Sequence, residues 1–374
     1  MQKNPTVWQQ LKKQPSSAKA TAGEERKPFF CLAPMADVTD AAFRRLIAKY
    51  GKPDVMWTEF VSANGLMSGG RKVLERDLVF SEIERPIVAQ LFSSDPEKME
   101  QAARLCAELG FDGIDINMGC PDKTIEKQGA GAGMIKTPEV AVAVIAATKR
   151  GAGNVPVSVK TRVGYNTVQI KEWISLLLQQ DIAALTVHAR TRKDLSKVPA
   201  RWEYLKEVVA LRDVLAPQTL IIGNGDVISL ADGIAKAQEC GCDGVMVGRA
   251  LFGNPWFFDE RRAITATLPK KQPVILRTLG RFLKIFETKR AAPQSATIPI
   301  TIKERLSVMV EHTKLFEELL GDIKSFSIMK KHYKAYCTGF AGAKELRLQL
   351  MEEASTSSDV ERLVNHFLQN NLVQ

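Results

Sequence analysis

Eight short apolar runs rich in β-branched residues recur along this chain, and nearly all end in a polar residue or a glycine. They are Phe29–Met35, Val55–Phe60, Ile87–Phe92, Gly113–Asn117, Val157–Arg162, Leu185–Arg190, Leu220–Asp226 and Gly244–Arg249. Stretches with helical spacing separate them, among them Ala41–Tyr50, Pro96–Leu109, Thr137–Arg150, Ile170–Gln180, Trp202–Leu215 and Ser229–Cys240. Several carry start signals: Thr39-Asp40 before Ala41, Asp95 before Pro96, and Thr137-Pro138-Glu139. Continuous apolar strands alternating with amphipathic helices indicate a parallel sheet covered by helices. A doubly wound sheet also alternates but usually has fewer strands. Eight such units predict an α/β chain with a (β/α)8 TIM barrel.

After Phe258 the strand runs stop. Arg277–Arg290, Ile302–Leu319, Ile323–Tyr336, Ala343–Ala354 and Asp359–Gln369 all read as helices. The organisation expected is a polar, flexible extension over 1–28 with a short helix at Thr6–Lys13, a catalytic barrel over 29–265, and a small all-α helical domain over 266–374. Charge follows these divisions. The chain carries a net +10. Residues 1–28 hold six Lys/Arg against two Asp/Glu, 29–265 hold 29 of each, and 266–374 hold 17 against 11. A neutral middle with basic flanks suits a polyanionic partner such as nucleic acid, although a solvated basic surface gives the same count.

No apolar run of membrane-spanning length occurs, and the polar amino terminus lacks the apolar region of a secretory signal. The six cysteines form no CxxC pair and no Cys/His array with zinc spacing. A cytoplasmic, monomeric protein without membrane or metal is therefore expected.

In a barrel of this kind the active site lies at the carboxyl ends of the strands. Those ends read Ala33-Pro34-Met35-Ala36, Thr58-Glu59, Gln90-Leu91, Asn117-Met118-Gly119-Cys120-Pro121, Lys160-Thr161-Arg162, His188-Ala189-Arg190, Asn224-Gly225-Asp226 and Gly248-Arg249. One shared concave polar site follows. Glycines and Arg249 at the seventh and eighth ends suit a phosphate cup, whereas each glycine alone would serve as a tight turn. Gly129-Ala130-Gly131-Ala132-Gly133 lacks the position and spacing of a dinucleotide loop. Cys120 sits in a Gly-Cys-Pro turn and is a candidate nucleophile or general acid. Lys160 ends a mostly apolar strand and requires a counter-charge or an anionic ligand.

Taken together, Ala33-Pro34-Met35, Gln90-Leu91-Phe92, Asn117-Met118-Gly119-Cys120-Pro121, Lys160-Thr161-Arg162-Val163-Gly164, His188-Ala189-Arg190-Thr191, Gly223-Asn224-Gly225-Asp226 and Gly248-Arg249-Ala250 resemble the tRNA-dihydrouridine synthases, most of all their bacterial branch. The resemblance covers about residues 29–365 and includes Met329-Lys330-Lys331-His332-Tyr333 in the tail. It implies an FMN-dependent, NADPH-consuming reduction of a tRNA uridine to 5,6-dihydrouridine. It places Pro34, Met35 and Ala36 against the flavin ring, Gln90 and Lys160 at the ring edge, and His188 in support of the cofactor. Asn224, Gly225, Asp226, Gly248 and Arg249 would hold the ribityl chain and phosphate. Cys120 would donate the proton, from a thiol with a near-neutral pKa, and Asn117 would lie close to the target base.

Arg162 and Arg190 are candidates for contacts to the base or its flanking phosphates. In the tail, Arg277, Arg281 and Lys284 share one helix face, and Lys330, Lys331, Lys334 and Tyr333 cluster on another. These are candidate RNA contacts, although Tyr333 also has core spacing with Phe326 and Met329. The extension is longer than in typical members, and Gln128 stands where many have Lys. Two rival classes remain: an FMN-dependent reductase of a free pyrimidine or small enone, and a catalytically silent tRNA-binding module.

Overall fold

The computed structural model describes residues 6–13, 27–263 and 298–371. Eight parallel strands form one sheet: β1 (Phe29–Leu32), β2 (Met56–Ser62), β3 (Ile87–Phe92), β4 (Gly113–Met118), β5 (Val157–Arg162), β6 (Ala184–His188), β7 (Leu220–Asn224) and β8 (Gly244–Val247). Their order is β1-β8-β7-β6-β5-β4-β3-β2. The ring closes where Cys31 bridges Val55 and the Leu32 N–H donates to the Val55 carbonyl at 3.1 Å. The result is a TIM barrel. Strand residues are buried almost without exception, as expected when helices cover the outside and side chains fill the inside.

Among the helices, α1 is Val7–Lys13, α2 Ala41–Tyr50, α3 Pro96–Glu108, α4 Pro138–Ala152, α5 Glu203–Leu215 and α6 Leu230–Cys240. The start signals act locally. Asp40 accepts the Phe43 N–H at 2.9 Å, Asp95 caps α3 ahead of Pro96, and Ser229 accepts the Asp232 N–H at 3.1 Å. The predicted helix at 170–180 instead begins with a wide π-turn, Ile170–Ile174, before an α-helical turn at Ser175–Leu178.

Four further helices follow: α7 (Ile302–Leu320), α8 (Met329–Tyr336), α9 (Ala343–Glu352) and α10 (Ser357–Asn371). They share a core of Leu306, Met309, Phe316, Tyr333, Leu346 and Val360, joined by Ala42 and Leu46 of α2 and by Trp256. The expected Ile323–Tyr336 helix starts later, at Met329, because Ser325 accepts the Ser327 N–H and opens a separate 3-10 turn at Phe326–Ile328. The predicted helix Arg277–Arg290 lies outside the described residues.

The short helix α1 was expected to sit in a flexible extension, but it packs under the amino ends of the strands. Val7, Trp8 and Leu11 are buried with Phe29, Trp57, Val88, Ala184 and Leu220. Lys12 fixes its far end by donating to the Pro217 carbonyl at 2.6 Å. Among the described residues, no helix is long and apolar enough to cross a membrane.

Candidate active site

Strand register brings the site together. Gln90 pairs with Asp115, Asn117 with Lys160, Arg162 with His188, and His188 with Asn224. In-register residues of parallel neighbours point to the same side, so these polar groups form one ring at the top of the barrel.

A cavity of about 400 Å³ opens there, within the ~300–1,000 Å³ typical of small-ligand sites. Pro34, Met35, Lys160, His188, Asn224, Gly225, Asp226, Gly248 and Arg249 line it, together with Arg162 and Arg190. Four cations thus face one carboxylate. Ala36 and Gln90 are not part of this lining. Lys160 Nζ makes no hydrogen bond or ion pair among the described residues. Burial, followed by the charge of Arg162, lowers its pKa to about 8, against the pull of Asp115. Burial and the cations Arg162, Lys160, Arg190 and Arg249 push His188 well below the usual imidazole range. It is neutral, and its Nε2 lies 3.1 Å from Arg190 Nη1. An arginine can only donate, so His188 accepts at Nε2 and carries its hydrogen on Nδ1.

The seventh and eighth strand ends form a tight cradle. Gly225 has φ +127°, and a Cβ there would stand 2.7 Å from the Ala200 Cβ. The Trp202 indole donates to the Gly225 carbonyl at 2.8 Å, and Asn224 ties β7 to β8 through the Met246 carbonyl at 2.8 Å. Asp226 accepts from Arg190, from Arg249 at 2.5 Å and from the Ala200 N–H at 2.9 Å. Burial alone would raise its pKa, but these donors hold it below the ordinary range. The phosphate-bearing flavin that the resemblance implies fits this set: an unpaired ammonium, an excess of positive charge and close-turning backbone in one cavity.

Cys120 sits half-buried at the neighbouring strand end. The Asn117 side-chain oxygen accepts the Gly119 and Cys120 N–H groups at 3.1 and 2.9 Å. Its amide donates to Gln90 at 3.0 Å, and Gln90 donates to Asp115 at 2.6 Å. Ser158 completes the chain by donating to Asp115 at 2.5 Å. Asp115 and Ser158 did not stand out in the sequence. The signal was there, since Asp115 precedes Asn117 by two residues and so shares its strand face.

Arg162 is 6% exposed. It donates to the carbonyls of Gly119 (2.7 Å), Thr191 (3.1 Å) and Leu195 (3.3 Å), so its fork ties the Cys120 turn to the loop after β6. The glycine run explains itself here. Gly131 has φ +59°, and a Cβ would meet the Cys120 carbonyl oxygen at 2.8 Å. The run lets a 3-10 turn pass beneath the cysteine. The expected near-neutral thiol is corrected: burial, aided by Asp122, raises the Cys120 pKa against the opposing effect of the Asp122 N–H, Lys160 and Arg162.

In the tail, Tyr333 is fully buried, with its hydroxyl 3.3 Å from Thr313 Oγ1, so it packs and offers no stacking face. Lys330 donates to the Met351 carbonyl, and Lys331 pairs with Asp37 at 3.1 Å. Arg277, Arg281 and Lys284 lie outside the described residues.

A parallel barrel with a polar cavity at the carboxyl ends of its strands has the architecture of a barrel enzyme. Comparison with known proteins narrows the class. Residues 31–372 match the family described as "Dihydrouridine synthase (Dus)", and the chain belongs to that family. It is 39% identical over 333 residues to a "Probable tRNA-dihydrouridine synthase" of Staphylococcus aureus (strain MRSA252), covering 88% of this chain and 90% of the relative. It is 38% identical over 344 residues to "Probable tRNA-dihydrouridine synthase 2" of Bacillus subtilis (strain 168), covering 91% and 94%. A solved structure of morphinone reductase shares 12% identity with a TM-score of 0.46, over 62% of this chain and 84% of that one.

Proposed function

We propose that this chain is a tRNA-dihydrouridine synthase that reduces the C5=C6 bond of a tRNA uridine, with FMN as cofactor, NADPH as reductant and Cys120 as general acid. The observation that carries this reading is the adjacency of a cation-rich, phosphate-compatible cavity and a braced, protonated thiol at the same end of the barrel. The relatives named above carry the same activity in their names.

Saturating a C5=C6 bond needs a hydride at one carbon and a proton at the other, and bound FMN would supply the hydride. Pro34, Met35, Ala36 and Gln90 would hold the ring, with Lys160 balancing negative charge at its edge. Asn224, Gly225, Gly248 and Arg249 would hold the ribityl chain and phosphate, with Asp226 aiming Arg249 and His188 in support. Cys120 keeps its proton at neutral pH because burial disfavours the thiolate, and it delivers that proton from Sγ. Asn117 fixes the cysteine turn and lies next to the target base, which must leave the folded RNA to reach it. Arg162 and Arg190 serve the mouth of the site. Lys330 and Lys331 of the C-terminal helices, together with Arg277 and Arg281, would bind the tRNA backbone and bring the uridine to a neutral barrel, in the cytoplasm.

The test is the visible absorption of the purified protein, followed by anaerobic addition of NADPH and then unmodified tRNA transcript. Flavin bands that bleach with NADPH and return with tRNA are expected. Bands that return only with a small enone would move the enzyme to free substrates. A protein that stays colourless with added FMN would overturn the cofactor assignment.

A further inference from the structure

Glu59 lies midway along β2 at 4% exposure and takes no part in the chemistry above. One carboxylate oxygen accepts the Asp37 N–H, and the other accepts Lys324 Nζ at 2.6 Å. Asp37 directly follows Pro34-Met35-Ala36 and has φ 51°, a left-handed conformation uncommon for a residue with a side chain. Lys324 lies just beyond α7 and also pairs with Asp77 at 2.8 Å. Lys331 of α8 holds the Asp37 side chain. The turn is therefore gripped at its backbone and at its side chain, both times through a cation of the C-terminal helices.

We propose that Glu59 is a positioning residue of the cofactor site: it locks the Asp37 turn, and with it the Pro34–Ala36 backbone, while Lys324 holds the other Glu59 oxygen and so aims the carboxyl group. The inference rests on the reading of Pro34–Ala36 as the flavin-facing backbone. Its physical basis is the pair of contacts made by one carboxyl group. Glu59 and Asp77 share Lys324, whose pKa they raise despite its burial, and burial pushes the Glu59 carboxyl up to about 7 against the pull of Lys324. Arg44 behind them is committed to Glu84 at 2.7 Å, and Lys331 to Asp37 at the rim. Either protonation state of Glu59 leaves an oxygen that accepts the Asp37 N–H, so the lock needs an acceptor at this position and Lys324 to aim it.

The experiment measures the FMN dissociation constant of the full-length protein by flavin fluorescence, as the ratio of variant to wild type. Glu59→Met, which fills the space but removes the acceptor, should raise the ratio about tenfold. Glu59→Gln, which keeps an accepting oxygen for the Asp37 N–H, should bring it back toward one. A ratio of one for Glu59→Met overturns the proposal, and so does an equal rise for Glu59→Gln. If Glu59→Met does not fold, Lys324→Met decides: it should raise the ratio several-fold while Lys324→Arg stays near one, and a ratio of one for Lys324→Met overturns it. Wild type that binds no FMN overturns the flavin reading itself, which a silent Glu59→Met on a flavin-binding wild type would not.

Discussion

At the amino ends of the strands, Trp8 of α1 meets Trp57 of β2 at 5.7 Å between ring centroids, in a cluster of apolar side chains. At the carboxyl ends, four cations and one carboxylate surround an open cavity, and Lys160 has no hydrogen-bond or ion-pair partner among the described residues. The same eight strands supply both ends. The lower end buries apolar area and closes; the upper end holds charge that a packed core would reject and stays open. Stability and chemistry are thus separated along the strand axis, and a change at one end should leave the other intact.

The largest expected effect comes from the upper end. Cys120→Ala should lower the rate of uridine reduction by about 10²–10⁴-fold while leaving flavin binding and NADPH oxidation in place. Single-turnover measurement on tRNA transcript checks this, and wild-type turnover would remove Cys120 from the mechanism. The lower end should respond in the opposite way. Trp8→Ala should cost about 3 kcal/mol of stability, read from the urea midpoint, with kcat unchanged. A loss of kcat with unchanged stability would show that the two ends are not separable.

A smaller effect distinguishes the barrel from the C-terminal helices. His312 and His332 stack edge-on at 4.5 Å, fully buried, with no hydrogen-bond partner among the described residues at any of their four ring nitrogens. Burial, then the neighbouring charge, depresses both pKa values, His332 to about 3. A depressed folded-state pKa means that the unfolded chain binds the protons. The stability they protect is complete above the unfolded value of about 6.5 and is lost as the pH falls toward 3, by up to about 1.4 kcal/mol per pH unit for each histidine. Acid titration followed by hydrogen exchange should show α7 and α8 loosening before the central strands. Simultaneous loss would mean that barrel and tail unfold as one unit.

Much of this was legible without coordinates. Alternation of apolar runs and amphipathic helices determined the barrel, because helix and strand periods are local properties of the chain. The polar residue ending nearly every run pointed to a site at one rim, and Lys160, His188, Asn224 and Arg249, singled out by their strand-end positions, line the cavity found there. Tertiary structure decided what those residues do to one another. Arg162 braces the Cys120 turn because register sets it beside Gly119 and the loop after β6. The thiol pKa rises because burial depends on segments brought from elsewhere in the chain. Gly131 is required because its φ is +59° and a Cβ there would stand 2.8 Å from the Cys120 carbonyl oxygen. Helix α1 seals the barrel, and Glu59 meets Lys324 across 265 positions of sequence. Periodicity is written in adjacent residues, whereas burial, pKa and long-range ion pairs exist only once distant segments are brought together.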